Sequence, residues 1–537
     1  MACSEIIQQH SQIFERSQIP TPEQRYNAIV TVVNDCDYNN RLNRLCSLID
    51  FHIQEQEMLS GTIRTLPTPK QIRGSQIPLV NGRLQDAQDL PLWTAAFFTP
   101  NPSQIPNVVQ DFYIALNNKF DRLDIYSQRR NNQQMELVGI QEENIDRFFR
   151  QQQKLKCKLV LCVMDTPADS DLKTIIKQYG TIKHDIITQC CLYSKIISQS
   201  RQRTPFSQYS ENIAREINSK LDGENVRIDL DQIMKEKGKS HYMFFGADVI
   251  HSTNCTEQHP SIAVVVGSTD QWCSHVEESI YAQWPEFDKC SIETIVNLEE
   301  ITIERLKAYQ QANDGQLPNK IVFYRVDDGQ FSKVYSKEIP QIRQAFQGSS
   351  LALSKNYSAD NRLPRYEDHM VYGKQKFPLL TLIIVKKRHH TRFLMYNGRD
   401  TYNVPIGTVV DTTIVDPYLY TFYLNSHKAI QGVNNLSLYT VLLDEIKLTI
   451  DELQLLTLQL CFTDQRSSNV EGVPSVIHYA DQRALKAKDQ FCFNQKRHDY
   501  HDDNEISNGI NGSTMRKKNS SDNNIRTKKL NLSAKVH

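Results

Sequence analysis

The sequence predicts an α/β protein of two folded domains, and three observations carry that prediction. Its 537 residues are too many for one ordinary hydrophobic core. Short apolar runs of strand length recur along the chain, and helical periodicities alternate with them. Leu159 to Met164 reads as a buried strand, and Pro167 to Asp171 as the loop and cap after it. Leu172, Ile175, Ile176 and Tyr179 then fall on one helix face, closed by Gly180, and Ile213, Ile217 and Leu221 mark a second helix closed by Gly223. Further on, Tyr242 to Phe245, Ile262 to Val266, Ile321 to Tyr324 and Leu379 to Val385 read as strands, with a helix at Leu453, Leu456 and Leu460. Residues 1–85 read as a helical linker region with too few apolar residues for a core of its own. Residues 499–537, rich in Asn, Asp, Ser and Lys, read as a disordered tail.

Composition narrows the function classes only slightly. Lys+Arg and Asp+Glu both number 62, so any grip on phosphates has to come from locally clustered charge. The 12 cysteines form no CxxC pair, which favours reduced thiols over disulfides or structural zinc, with Cys190-Cys191 read as buried free thiols. The longest apolar run, Leu379 to Val385, falls well short of the roughly 18 residues that span a bilayer. The start at Met1 has no basic region leading into an apolar stretch. The expectation is an intracellular protein with no membrane partner.

Asp248 follows four apolar residues and a Gly-Ala pair, which puts a carboxylate at the exit of a buried strand. Alone, such an acid serves as a turn or cap residue. It gains chemical meaning only if other carboxylates converge on it, because two-metal phosphodiester cleavage needs several acids around two Mg²⁺ ions about 3.5–4 Å apart. Lys173 and Lys177 stand four apart on one helix face, which alone describes a solvated surface. His389-His390 and His427 have no third ligand at zinc spacing and read as polar core or RNA-contacting residues.

Several runs, in order, resemble the C-terminal half of Argonaute proteins. Phe245-Gly246-Ala247-Asp248-Val249-Ile250-His251 and Pro260-Ser261-Ile262-Ala263 look like the opening of a PIWI domain. Lys387-Arg388-His389-His390-Thr391-Arg392, Pro405 to Asp411, Ser426 to Gly432 and Asp451-Glu452-Leu453-Gln454 look like its later segments. The resemblance runs from about residue 90 to about residue 490. It implies a Rossmann-like MID domain over 86–232 followed by an RNase H-like PIWI domain over 233–498. Nothing matches the family's N-terminal or PAZ domain, so the sequence reads as a shortened protein or an incomplete one.

The resemblance assigns roles residue by residue. Cleaving family members use an Asp-Glu-Asp set with a fourth His or Asp. These positions map onto Asp248, Glu293 (Glu286 being the alternative) and, for the fourth, Asp481. The third is displaced. The family's run of Tyr-Arg-Asp-Gly, three residues and Gly-Gln-Phe is two residues shorter here, as Tyr324-Arg325-Val326-Asp327-Asp328-Gly329-Gln330-Phe331, and the simplest gap removes the Asp-Gly pair. Asp327 would complete a Mg²⁺ site with Asp248 and Asp481 only if the strand end is re-registered, because a one-residue step turns a side chain to the other face. Otherwise Asp327-Asp328 is a solvated turn.

In the MID region, Lys177, Gln189 and Lys220 match the family's grip on the guide 5′ phosphate. Lys486 stands where a PIWI-domain Arg usually completes it, keeping the charge but losing the bidentate fork. Lys173 occupies the place of a base-stacking aromatic residue, a change that would suit extra 5′ phosphates. Glu216 stands where the family often has a Lys, and opposes anions unless turned away. The implied function is RNA silencing in the cytoplasm or nucleus, with a small guide RNA, a target RNA and silencing effector proteins as partners. An active Mg²⁺-dependent, guide-directed endoribonuclease is the alternative. A guide-free nuclease and a non-binding fragment are the remaining readings.

Overall fold

The computed structural model describes residues 84–507, apart from 85, 126–134, 167–170, 229, 235–239, 252–259, 285–292, 328, 354–376, 397–398, 413, 430 and 468. It also describes Gln24 and the segments 63–65 and 527–530. The first sheet is wholly parallel, built from β1 (Trp93–Thr99), β2 (Glu136–Gly139), β3 (Leu159–Met164) and β4 (Ile187–Leu192) in the order β2-β1-β3-β4. Every residue of β1 and β3 is buried, which is why both runs are apolar without alternation: helices cover both faces of a parallel sheet. Those helices are α1 (Asn107–Arg122), α2 (Glu142–Lys154), α3 (Leu172–Lys177) and α4 (Ser207–Lys220). Val109, Phe112, Leu116 and Phe120 of α1 pack with Ile213 and Ile217 of α4 on one face. Phe148, Phe149, Leu172 and Ile176 pack on the other.

The helix expected to close at Gly180 does not close there. It widens into a π-helical turn over Gln178–Lys183. Gly180 is needed for contact: a Cβ there would lie 2.6 Å from the Thr188 methyl and 2.8 Å from the Phe149 ring. The missing side chain lets this turn press against β4, and single π turns of this kind recur at functional sites. The loop expected from Pro167 onward lies, up to Ser170, outside the described residues.

The second sheet contains β5 (Tyr242–Ile250), β6 (Ser261–Ser268), β7 (Val276–Gln283), β8 (Lys320–Val326), β9 (Leu379–Lys386), β10 (Thr408–Val410), β11 (Thr421–Asn425) and β12 (Ser437–Asp444). Their order is β10-β11-β12-β9-β8-β5-β6-β7, with β8 parallel to both β5 and β9 and the other pairs antiparallel. Helices α5 (Leu298–Ala312) and α6 (Ile339–Leu353) cover one face, with Ile301 and Ile342 against Phe245 and Phe323. Helices α7 (Ile450–Leu460) and α8 (Ser475–Ser507) cover the other, with Leu456 and Val476 against Phe244 and Tyr324. Thr449 starts α7 through a reciprocal cap. Its hydroxyl accepts from the Glu452 backbone N–H, and the Glu452 carboxylate accepts from Thr449.

Two terminal segments differ from the sequence expectation. Ile63–Thr65, inside the stretch read as a helical linker, pairs antiparallel with β10; nearly all of the rest of 1–85 lies outside the described residues. Within the stretch read as a disordered tail, α8 continues to Ser507 and Thr527–Lys529 pairs antiparallel with β7. Both short strands close an edge of the large sheet. An open edge can recruit polar backbone that composition alone would leave unstructured.

The two sheets meet across a polar joint. The Asn225 backbone N–H donates to Gln465 Oε1 at 2.7 Å. Asp270 accepts backbone N–H bonds from Trp272, Ser274 and His275, and His275 bridges Asp270 at 3.2 Å and the Asp222 carbonyl at 2.9 Å. The Asp270 bond, opposed by burial, pushes His275 up to about 9.

Candidate nucleic-acid interface

A cavity of about 260 Å³ opens where α3 and α4 of the first domain face α8 of the second. Its walls include Lys173, Lys177, Lys220, Arg483, Lys486 and Glu216. The Lys177 ammonium donates to the Thr188 carbonyl at 2.8 Å, and Lys220 donates to the same carbonyl at 3.2 Å and to Gln189 Oε1. The Gln189 amide donates to Glu216 at 2.9 Å, and Lys220 lies 3.1 Å from the other Glu216 oxygen. The structure therefore gathers all five residues read as phosphate-binding: Lys173, Lys177, Lys220 and Lys486 line the cavity and Gln189 joins them through Lys220 and Glu216. They come from positions as far apart as 173 and 486.

Glu216 is not turned away. It closes a ring with Gln189 and Lys220, and although burial opposes its charge, Lys220 and the Gln189 bond hold its carboxyl down to about 2. Glu278 and Asp489 also line the cavity, so three carboxylates face its four lysines and one arginine. Burial, with Lys220 nearby, pushes Lys177 down to about 8. Burial, reinforced by Arg483, Arg466 and Lys220, pushes Lys486 down to about 6. Groups so buried hold their protons less firmly, and an anion beside them strengthens that hold. Arg483 was missed in the sequence, although it precedes Lys486 by three positions on α8 and so shares its face.

The second candidate site lies at the ends of β5 and β8. Gly246 explains how it is built. A Cβ there would fall 2.3 Å from the Val476 carbonyl carbon, so the absent side chain lets the start of α8 rest directly on the sheet. That contact sets Asp481, further along α8, close to Asp248. The Lys387 ammonium joins them at 3.0 Å from Asp248 and 3.2 Å from Asp481. Burial pushes the Asp248 carboxyl up from its ordinary value, against the pull of Lys387. Glu293 accepts from His251 at 2.6 Å, and its backbone carbonyl accepts from Arg325 at 2.5 Å. Glu286 lies outside the described residues.

The strand end is not re-registered. Ala247 pairs with Arg325, so the next step sets Val326 beside Asp248, on the face where a third carboxylate would stand. Asp327 comes one residue later and has Arg325, Glu293 and Glu338 as its charged neighbours. It is not the solvated turn residue expected as the other outcome either. Its side chain is buried without a side-chain partner among the described residues, and burial pushes its carboxyl up. Arg325 is committed to Glu338, at 3.2 Å in a pair that is 1% exposed on both sides.

These residues do not fit a two-Mg²⁺ centre. An ammonium joins two of the candidate ligands, a valine stands at the third position, and the charged neighbours of Asp327 are Arg325, Glu293 and Glu338. Among the described residues, the His, Asp and Glu groups with ligand atoms within 4.8 Å of one another are Glu224–Asp270–His275 and Asp464–Glu471–His478, and neither includes a member of the Asp248 set. In both, the imidazole is already held by protein partners, His478 by Glu471 at 3.3 Å and Gln482 at 2.8 Å. His389 bonds the Leu436 carbonyl at 2.6 Å. No helix among the described residues is long and apolar enough to cross a membrane.

Comparison with known proteins fits this architecture. The Piwi domain family matches residues 159–491. "Protein argonaute 3" of Oryza sativa subsp. japonica is 35% identical over 312 residues, covering 56% of this chain and 25% of that protein. "Putative protein tag-76" of Caenorhabditis elegans is 32% identical over 368 residues, covering 67% of this chain and 32% of that protein. The chain thus spans about a quarter to a third of these relatives' length. Among solved structures, Drosophila Piwi superposes with a TM-score of 0.65 at 19% identity, over 89% of this chain and 61% of that one. Kluyveromyces polysporus Argonaute with a guide RNA superposes with a TM-score of 0.62 at 22% identity, over 76% of this chain and 47% of that one. With the Piwi domain family matching most of the chain, and with this order of α/β layers, the protein belongs to the Argonaute family.

Proposed function

We propose that the chain is a guide-RNA-binding protein of RNA silencing that holds a guide 5′ phosphate in the basic cavity and does not cut its target. On this reading residues 86–232 form the MID domain and 233–498 the PIWI domain. Base pairing of the guide selects a target RNA, and effector proteins in the cytoplasm or nucleus act on it. The observation that carries the reading is the convergence of Lys173, Lys177, Lys220 and Lys486 with Gln189 in one cavity, where burial beside other cations pushes Lys177 and Lys486 down. An Argonaute solved with a guide RNA shares the fold, which supports the ligand class. The active endoribonuclease reading loses ground because the carboxylates do not fit the metal pair that reaction uses.

The test is to purify the protein from its source and sequence the RNA that accompanies it, then to compare short RNAs differing only at the 5′ end. A uniform short population is expected, with a 5′-monophosphate binding at least ~10-fold more tightly than a 5′-hydroxyl, as charge-assisted contacts of about 1.5–3 kcal/mol imply. A 5′-triphosphate is expected to bind more tightly again, because Lys173 adds a cation to the rim. Equal binding of the hydroxyl RNA rejects the phosphate assignment.

Binding is also expected to depend on pH with a definite sign. Lys486 and Lys177 sit at about 6 and about 8 in the empty cavity, and a bound phosphate raises both. Above pH 7 the ligand phosphate, whose second pKa is about 6, is already dianionic. Proton uptake by the lysines then governs the trend. Affinity falls as pH rises from about 7 to 9, by up to about tenfold per pH unit for each proton taken up. Calorimetry in buffers of different ionisation enthalpy reads the uptake directly. A flat profile would show that these lysines do not meet the phosphate.

A further inference from the structure

The basic cavity also contains a thiol that phosphate binding does not use. Cys190 is on its lining, and it is the only half-buried cysteine among the described residues; Cys157, Cys162, Cys191, Cys273 and Cys461 are buried. The neighbouring pair Cys190-Cys191 divides between the two faces of β4. Cys191 enters the core beneath α1, and Cys190 turns toward α3 and the cavity. Directly across the strand pair, Cys162 of β3 is the register partner of Cys190. Partners in register point to the same face, and both thiols pack in one cluster with Ile176. Cα atoms on adjacent strands lie about 4.8 Å apart, within the range a disulfide spans.

We propose that Cys190 is a peroxide-reactive site in the wall of the basic cavity, with Cys162 as its resolving partner. Thiolates react and thiols do not, so the surroundings decide reactivity. Cys162 lies beside Cys190, and Lys177, Lys173 and Lys220 face it across the cavity, so the Cys190 thiol is pulled below its ordinary range although burial opposes this. Burial pushes Cys162 up, which keeps it protonated; its thiol donates to the Val160 carbonyl at 3.7 Å. The cavity gives a small oxidant a path to one sulfur of the pair and not to the other.

The chemistry balances with a hydroperoxide as the oxidant. The Cys190 thiolate attacks the terminal peroxide oxygen, the O–O bond breaks, and the departing alkoxide or hydroxide takes a proton to leave as alcohol or water. Cys190 is then a sulfenic acid. The Cys162 sulfur attacks the Cys190 sulfur, expels the hydroxyl group as water with the Cys162 proton, and the S–S bond forms. Two electrons pass from the thiol pair to the peroxide oxygens. A phosphate group in the cavity would cover Cys190 and neutralise the lysines that favour its thiolate; this shielding alone rests on the function proposed above.

The experiment is peptide-resolved alkylation and oxidation of the full-length protein. With iodoacetamide at pH 7, Cys190 is expected to label at least ~10-fold faster than Cys191 or Cys461, the margin a depressed thiol has over a protonated one. Hydrogen peroxide is expected to yield a Cys162–Cys190 disulfide peptide that has lost two hydrogens. In Cys162→Ser the same treatment should leave a Cys190 sulfenic acid that dimedone captures. Labelling of Cys190 no faster than Cys191 overturns the proposal, and so does a disulfide between any other pair. Slowing of Cys190 labelling by millimolar inorganic phosphate tests the shielding separately. If Cys190 is fast and phosphate has no effect, the reactive thiol stands and the phosphate-binding reading fails.

Discussion

A fully paired target RNA is expected to emerge intact from the guide-loaded protein in Mg²⁺, with no cut above the uncatalysed background. Val326 stands beside Asp248 where cleavage chemistry needs a carboxylate, and the Lys387 ammonium joins Asp248 to Asp481. Up to millimolar Mg²⁺ should therefore leave the melting temperature of the native protein unchanged. The Lys387→Ala variant should behave differently. It leaves Asp248, which is 6% exposed, and Asp481 facing each other with no cation between them. A divalent ion at about ten times its dissociation constant would then stabilise the fold by about 1.4 kcal/mol, a rise of roughly 3 °C for a domain of this size. Mg²⁺-dependent cleavage by the native protein that Asp248→Ala abolishes would show that the ion displaces Lys387, and the non-cutting reading would have to be given up.

Lys220→Ala is expected to remove most of the preference for a 5′-phosphorylated RNA, weakening it by about 10–100-fold while 5′-hydroxyl RNA binds as before. Lys220 is 6% exposed and touches the Thr188 carbonyl, Gln189 and Glu216 together. The substitution also leaves the Glu216 carboxylate in the cavity without the cation that holds its charge there. A double variant, Lys220→Ala with Glu216→Gln, separates the two effects. It should recover fold stability, because the stranded charge is gone, and keep the binding defect, because the phosphate ligand is still missing. If the double variant regains phosphate discrimination, Lys220 serves only to neutralise Glu216.

Much of the fold was legible because its strongest signals are local. The runs read as strands at Leu159, Tyr242, Ile262, Ile321 and Leu379 all form strands, and the α7 and α4 helices fall where apolar spacing put them. Residues wholly buried in a parallel or central strand have little choice but to be apolar, so burial writes itself into sequence. The errors were of another kind. Gly180 was read as a helix end because glycine commonly closes helices, but the deciding contact is with Phe149 and Thr188, which sequence spacing does not show. The short strands at Ile63–Thr65 and Thr527–Lys529 owe their existence to open sheet edges far away in the chain.

By itself the sequence determined the α/β class, the order of the elements, the family resemblance and the residue types available to each site. It also contained the shortened run after Arg325, and with it the doubt about a third carboxylate. Only the tertiary structure decided what those residues amount to. It put Lys387 between Asp248 and Asp481, placed Val326 rather than Asp327 at the third position, and turned Glu216 into the cavity. It also buried Lys177 and Lys486, far apart in sequence, beside other cations, and paired Cys190 with Cys162. The physical reason is one of range. Strand and helix periodicity is set by neighbours within a few residues, whereas charge state, metal fit and thiol reactivity depend on ångström-scale distances between groups far apart in sequence.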